Sequence, residues 1–139
     1  MRDSIKQEDD FGCGIACVAF VLSKTYRSVI NEKIELKAKT RGFLCRELTA
    51  ILKENGYLYS YHYLKACKKR DIKQEGTIVY IQKSKRYPDG HYLTRHKDYW
   101  MDPWINLQRD GNLSNAISGY RRKLPGKAIY YLLPTNEDC

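Results

Sequence analysis

Gln7-Glu8-Asp9-Asp10-Phe11-Gly12-Cys13-Gly14-Ile15-Ala16-Cys17-Val18-Ala19-Phe20 is the stretch on which the reading of this chain turns. From Cys13 to about Lys24 the pattern predicts a helix built on the apolar series Ile15 to Leu22. A helix that is apolar nearly all round has to be buried on most sides. Asp9 and Asp10 stand just ahead of it, where a carboxylate can cap free amides and suits the helix dipole. Gly12 and Gly14 flank Cys13 and allow backbone to come close there.

Cysteine chemistry needs the thiolate, and a free thiol of pKa ~8.5 is only a few per cent ionised at neutral pH. A helix N-terminus favours the anion, and Cys13 sits at such an entrance. Cys17 lies one turn further in, within the apolar run, and reads as a small core residue. Cys45, near the start of a second helix, is the next candidate nucleophile. Cys67, inside a basic patch, and Cys139, the last residue, read as incidental thiols. Gln7 stands six residues before Cys13. An amide there, with the Cys13 backbone N–H, can donate to a developing oxyanion; one such donor is worth roughly 3–4 kcal/mol. A lone glutamine is equally an ordinary surface residue.

A base for that thiol must be one of three histidines. His62 falls in a tyrosine-rich strand. His96 falls in an expected hairpin turn, where side chains usually face solvent. His91 opens a strand directly after Asp89-Gly90, and the glycine is expected to leave room for substrate backbone. Asp102 closes the returning strand ahead of Pro103-Trp104. A hairpin centred on residues 96–97 sets His91 and Asp102 almost opposite each other, within cross-strand reach. A carboxylate so placed holds the imidazole tautomer and stabilises its charged form.

Around this constellation the pattern predicts a helix from about Leu44 to Asn55, with Leu44, Leu48, Ile51 and Leu52 at helical spacing and Gly56 as its stop. Strands are expected at Tyr57 to Leu64, Thr77 to Ile81, His91 to Arg95, Tyr99 to Asp102 and Ala128 to Leu133. Helices first and strands later imply an α+β fold, N-terminal helices packed on an antiparallel sheet. With 139 residues and no repeat or linker, one domain spanning 1–139 is the expectation.

Composition narrows the function classes. Hydrophobic residues make up 42% of the chain, within the globular range. No apolar run approaches the ~20 residues of a membrane helix, and the charged opening lacks a signal-peptide pattern. The expected compartment is therefore the cytoplasm, non-classical export aside. Five cysteines at irregular spacing fit reduced thiols better than a disulfide framework. A zinc site is disfavoured, because Cys13 and Cys17 lack Cys-x-x-Cys spacing and Cys17 is needed by the core; no cofactor is expected. The net charge of +9 gathers at Lys65 to Arg70 with Lys73, and at Arg121-Arg122-Lys123. Solvated surface is the plainer reading of these runs. A nucleic-acid platform of basic residues among twelve tyrosines is a secondary one.

The opening segment resembles the first motif of the bacteriocin-processing, double-glycine leader peptidases: a glutamine six residues before the nucleophile, then Cys-Gly-x-Ala-Cys and an apolar helix. Gly90-His91-Tyr92 through Met101-Asp102-Pro103-Trp104 is similar to their second motif, and Gly42 to Tyr57 to their second helix. The resemblance implies a papain-like fold and a cysteine peptidase with Cys13, His91 and Asp102 as triad and Gln7 at the oxyanion hole. It also implies a peptide or protein substrate, Gly-rich at the cleavage site. Gly12 departs from the acidic residue that usually precedes the nucleophile in that family. A stand-alone peptidase, isopeptidase or amidase is expected, with a non-catalytic module of the same fold as the alternative.

Overall fold

In the computed structural model, which describes residues 2–63, 72–108 and 111–134, helix α1 spans Cys13–Leu22. Every residue from Gly14 to Phe20 is buried, as the all-round apolar pattern requires. The helix stops at Leu22, two residues before the expected Lys24, because Ser23 turns left-handed (φ 56°) and its N–H returns to Phe20 O. The expected aspartate cap is absent. Gly12 is the N-cap residue and no side chain caps the helix. Asp9 instead accepts a 2.8 Å hydrogen bond from the buried Tyr26 hydroxyl.

Two helices follow that the sequence pattern leaves unseen: α2, Tyr26–Val29, and α3, Glu32–Thr40. Both start on side-chain caps, Thr25 accepting from the Ser28 N–H and Asn31 from the Ile34 N–H. Only Ala38 of α3 is buried, so no apolar stripe marks it. Helix α4, Cys45–Glu54, buries Leu48, Ile51 and Leu52 as expected. Leu44 is its exposed N-cap residue, not part of the buried stripe. Glu47 folds back to accept from the Leu44 N–H at 2.8 Å. Gly56 (φ 86°) ends the segment, which no residue with a Cβ does without strain.

Among the described residues, six antiparallel strands form one sheet in the order β1-β6-β2-β3-β4-β5. They are β1 Ser60–Tyr63, β2 Ile78–Ile81, β3 His91–His96, β4 Tyr99–Asp102, β5 Gly119–Arg121 and β6 Ala128–Leu133. The helices cover one face, where α1 and α4 pack on Ile78, Tyr92, Met101 and Leu132. The other face buries Val79, Leu93, Trp100 and Tyr131 beneath Tyr87, Leu107 and Leu124. Because both faces are covered, β3 is buried along its whole length and shows no alternation. An α+β fold with N-terminal helices on an antiparallel sheet is thus present.

The β3–β4 hairpin differs from expectation in one respect. Thr94 pairs with Met101, Arg95 with Trp100 and His96 with Tyr99, so the turn is Lys97 and Asp98. Lys97 takes the left-handed conformation (φ 54°) and moves the hairpin centre one residue on. Continued one step, this register sets Asp102 opposite Leu93. His91 and Asp102 are diagonal neighbours, not a directly opposed pair.

Candidate active site

Local folding brings three distant side chains to one place. Cys13 is the first residue of α1, held by the Phe11 N–H bonded to Ala38 O (2.8 Å) and the Gly12 N–H bonded to Asp9 O (3.0 Å). His91 opens β3 and Asp102 closes β4. A hydrogen bond of 2.6 Å joins His91 Nε2 to Asp102 Oδ1, with the side chains only 2% and 0% exposed. Cys13 and His91 line the same cleft, and the sulfur is near enough to act on the charge of the ring. With Nε2 committed to Asp102, Nδ1 is the ring nitrogen left for the sulfur.

Burial works against a charged His91, but the Asp102 bond and the nearby Cys13 sulfur outweigh it and raise its pKa from 6.5 to about 9. Burial likewise works against the Asp102 carboxylate. Hydrogen bonds from His91, from Arg121 and from the Trp104 N–H nevertheless hold its pKa below the usual value. Imidazolium and carboxylate are therefore the paired forms at neutral pH. Tyr87 lies flat against the imidazole, ring centroids 4.9 Å apart and planes 8° from parallel. That contact blocks rotation of the His91 ring out of line.

Gln7 lines the same cleft, is 2% exposed, and has its backbone N–H bonded to Pro103 O (3.2 Å). The N-terminal segment is thereby tied to the loop that follows Asp102. Its side-chain Nε2 donates to Asp9 O (3.0 Å) and Asp10 O (3.1 Å), while Oε1 is buried with no partner among the described residues. The cleft measures about 360 Å³ and is walled by Phe11, Phe43, Leu44, Tyr80 and Trp104. Tyr80 and Tyr92 line it and continue outward as a row of rings: Tyr92, Tyr80, Tyr130 and Tyr63 meet in tilted contacts across four neighbouring strands.

Other sequence expectations fare unevenly. Cys17 is fully buried, and burial raises its pKa well above that of a free thiol, as suits a core residue. Cys45 is half-buried, its sulfur 3.7 Å from the Tyr92 hydroxyl, and burial pushes its pKa up. His96 does not face solvent: it is buried at the end of β3 and its Nδ1 bonds Glu75 Oε2 at 2.8 Å. His62 lies on β1, bonded to Ser60. The space beside Gly90 is filled by the Tyr80 hydroxyl, which donates to Asp89 O (2.9 Å), so it holds no substrate backbone. The glycines around Cys13 serve packing instead: a Cβ on Gly12 would collide with the Tyr26 hydroxyl, and one on Gly14 would press Leu48 at 3.0 Å.

Arg121, read in sequence as solvated surface, belongs to the site: its Nε donates to Asp102 Oδ2 at 2.8 Å. Its neighbour Arg122 lies over the Tyr99 ring. No local pattern announces Arg121 or Tyr87, because each meets its partner only after the sheet has formed. Lys65 to Arg70, Cys67 and Cys139 lie outside the described residues. Among the described residues no group of three or more His, Cys, Asp or Glu side chains is arranged to hold a metal ion, and no helix is long and apolar enough to cross a membrane.

No protein-family model and no curated protein sequence matches the chain. Among solved structures, it is similar to a double-glycine-motif protease from an AMS/PCAT transporter, crystallised in complex with the leader peptide. The two superpose with a TM-score of 0.52 over 96% of this chain and 91% of that one, at 16% identity. The likeness is one of fold.

Proposed function

We propose that this chain is a papain-like cysteine peptidase with Cys13 as nucleophile, His91 as general base and acid, and Asp102 as the group that orients His91. One observation carries the reading: the buried His91–Asp102 bond lies at the wall of a cleft that Cys13, the first residue of α1, also lines. An imidazolium beside a sulfur at a helix entrance is the arrangement a thiolate nucleophile requires. The fold likeness to a double-glycine-motif protease agrees with it.

In the proposed reaction the Cys13 sulfur attacks the scissile carbonyl and the His91 proton passes to the leaving amine. Water then attacks the thioester, with His91 taking its proton, and the acid product leaves. The Cys13 N–H and the Gln7 amide bind the oxyanion. For Gln7 this requires one N–H to leave the carbonyl of Asp9 or Asp10. The substrate class is a peptide or protein, with a glycine-rich cleavage site first in order of trial. The reducing cytoplasm is the proposed compartment, since the reaction needs a free thiol.

Incubation with glycine-containing peptides, products read by mass spectrometry, tests the proposal. Cleavage is expected from the parent chain and none from Cys13→Ala. Equal cleavage by both, or none by the parent across a broad peptide set, would end it.

A further inference from the structure

Asp102 has no exposed surface and must satisfy four lone-pair sites from within the protein. Oδ1 accepts from His91 Nε2 (2.6 Å) and from the Trp104 N–H (2.9 Å). For Oδ2 the one partner among the described residues is Arg121 Nε, at 2.8 Å. Arg121 is itself fixed, since its second nitrogen donates to Ile105 O at 2.7 Å, on the loop that leaves Asp102. It is placed by β5, where Arg121 pairs with Trp100 and Gly119 with Asp102. One guanidinium therefore grips both the carboxylate and the chain three residues beyond it.

Charge gives this contact its meaning. The reactive form that the peptidase reading requires, with thiolate, imidazolium and carboxylate, carries one uncompensated negative charge beside a fully buried Asp102, which is costly. A guanidinium at the far end makes the row neutral and alternating. We propose that Arg121 is a positioning residue of this site: it completes the line Cys13, His91, Asp102, Arg121 and holds the carboxylate in the orientation that His91 needs. The inference rests on the cysteine-peptidase reading above. It concerns how the site is kept in working form and adds no group that touches substrate. The other titratable groups that act on Cys13, His91 or Asp102 are Tyr87, stacked on His91; Cys17, one turn into α1; and Tyr80 and Tyr92 beside Cys13. All are retained in the variants below.

Removing one positive charge disfavours the thiolate and favours the imidazolium, so both limbs of a pH profile should move up. A residue that only braced β5 would lower rates and leave the limbs where they are.

The test needs no substrate: the rate of Cys13 alkylation by iodoacetamide is followed against pH, with the adduct located by mass, in the parent, Arg121→Gln and Arg121→Lys. Arg121→Gln should move the profile up by about one pH unit, roughly fivefold slower at the parent's midpoint and about tenfold slower well below it, and Arg121→Lys should recover most of the shift. A folded Arg121→Gln with the parent's profile would overturn the inference and leave the peptidase reading standing. If parental Cys13 reacts no faster than a free thiol, both fall. Should Arg121→Gln fail to fold, NMR of the parent decides. The Arg121 Hε resonance must move as His91 titrates, and a resonance constant across that range overturns the inference.

Discussion

Asp102 binds His91 along a diagonal: its Oδ1 lies 2.6 Å from His91 Nε2, while the strand register runs Asp102 towards Leu93. A diagonal pair spans more distance than a direct one, which two extended side chains can cover. The carboxylate thus meets the ring at Nε2 and leaves Nδ1 uncommitted to Asp102. The geometry also leaves Oδ2 free for Arg121.

Asp102→Asn keeps the shape of the site and removes its charge. The amide cannot hold both His91 Nε2–H and Arg121 as acceptor on each side, so the imidazole loses its tautomer and its counter-charge. A loss of about 10²–10⁴ in kcat/KM is expected, by analogy with other catalytic triads. Steady-state kinetics on any cleaved peptide checks this.

Stability should depend on pH through His91. Its pKa rises from 6.5 to about 9 on folding, so the folded state binds the proton more tightly than the unfolded state. The contribution is complete below about pH 6.5 and lost as pH rises to about 9, with a slope approaching 1.4 kcal/mol per unit. Asp102 acts with the opposite sign, its contribution being lost in acid as pH falls below the usual carboxylate range. Urea unfolding across these ranges should show the alkaline slope in the parent and a flatter one in His91→Ala.

Gly12→Ala should destabilise by about 1–3 kcal/mol, since the new Cβ meets the Tyr26 hydroxyl in a closely packed core. Tyr26→Phe removes that oxygen and also the bond to Asp9. The double variant should therefore lose less than the sum of the two single losses. Denaturant midpoints for the four proteins measure the coupling.

Gln7→Ala should lower kcat by about 10²–10³ and change KM little, the mark of a donor used in the transition state. A rise in KM alone would instead point to a Gln7 that only shapes the loop at Asp9 and Asp10. His96→Gln should leave both constants near parental values, because His96 bonds Glu75, away from the cleft.

Much of this arrangement is legible in the sequence, for physical reasons. An apolar helix behind Cys13 and the spacing of Leu48, Ile51 and Leu52 are local patterns, and burial follows from them directly. The strand pair carrying His91 and Asp102 is announced by turn residues, Asp89-Gly90 ahead of it and Lys97-Asp98 within it. Its exact register is not, since one left-handed residue, Lys97, moves the turn. Helix α3 escapes because it buries a single alanine, and β5 because it is three residues long. Arg121 and Tyr87 escape for a different reason. Their roles exist only between strands far apart in the chain, and a basic or aromatic residue looks the same in sequence whether it faces water or a buried carboxylate. His96 shows the converse error, a turn-adjacent histidine that tertiary packing buries.

Stoichiometric titration with an epoxysuccinyl peptide, the adduct located by tandem mass spectrometry, asks whether sulfur and imidazole act together. The expected result is one equivalent bound on Cys13, lost in His91→Ala although the thiol remains. An adduct on Cys45 in preference to Cys13, or equal labelling of Cys13 with and without His91, would contradict the account.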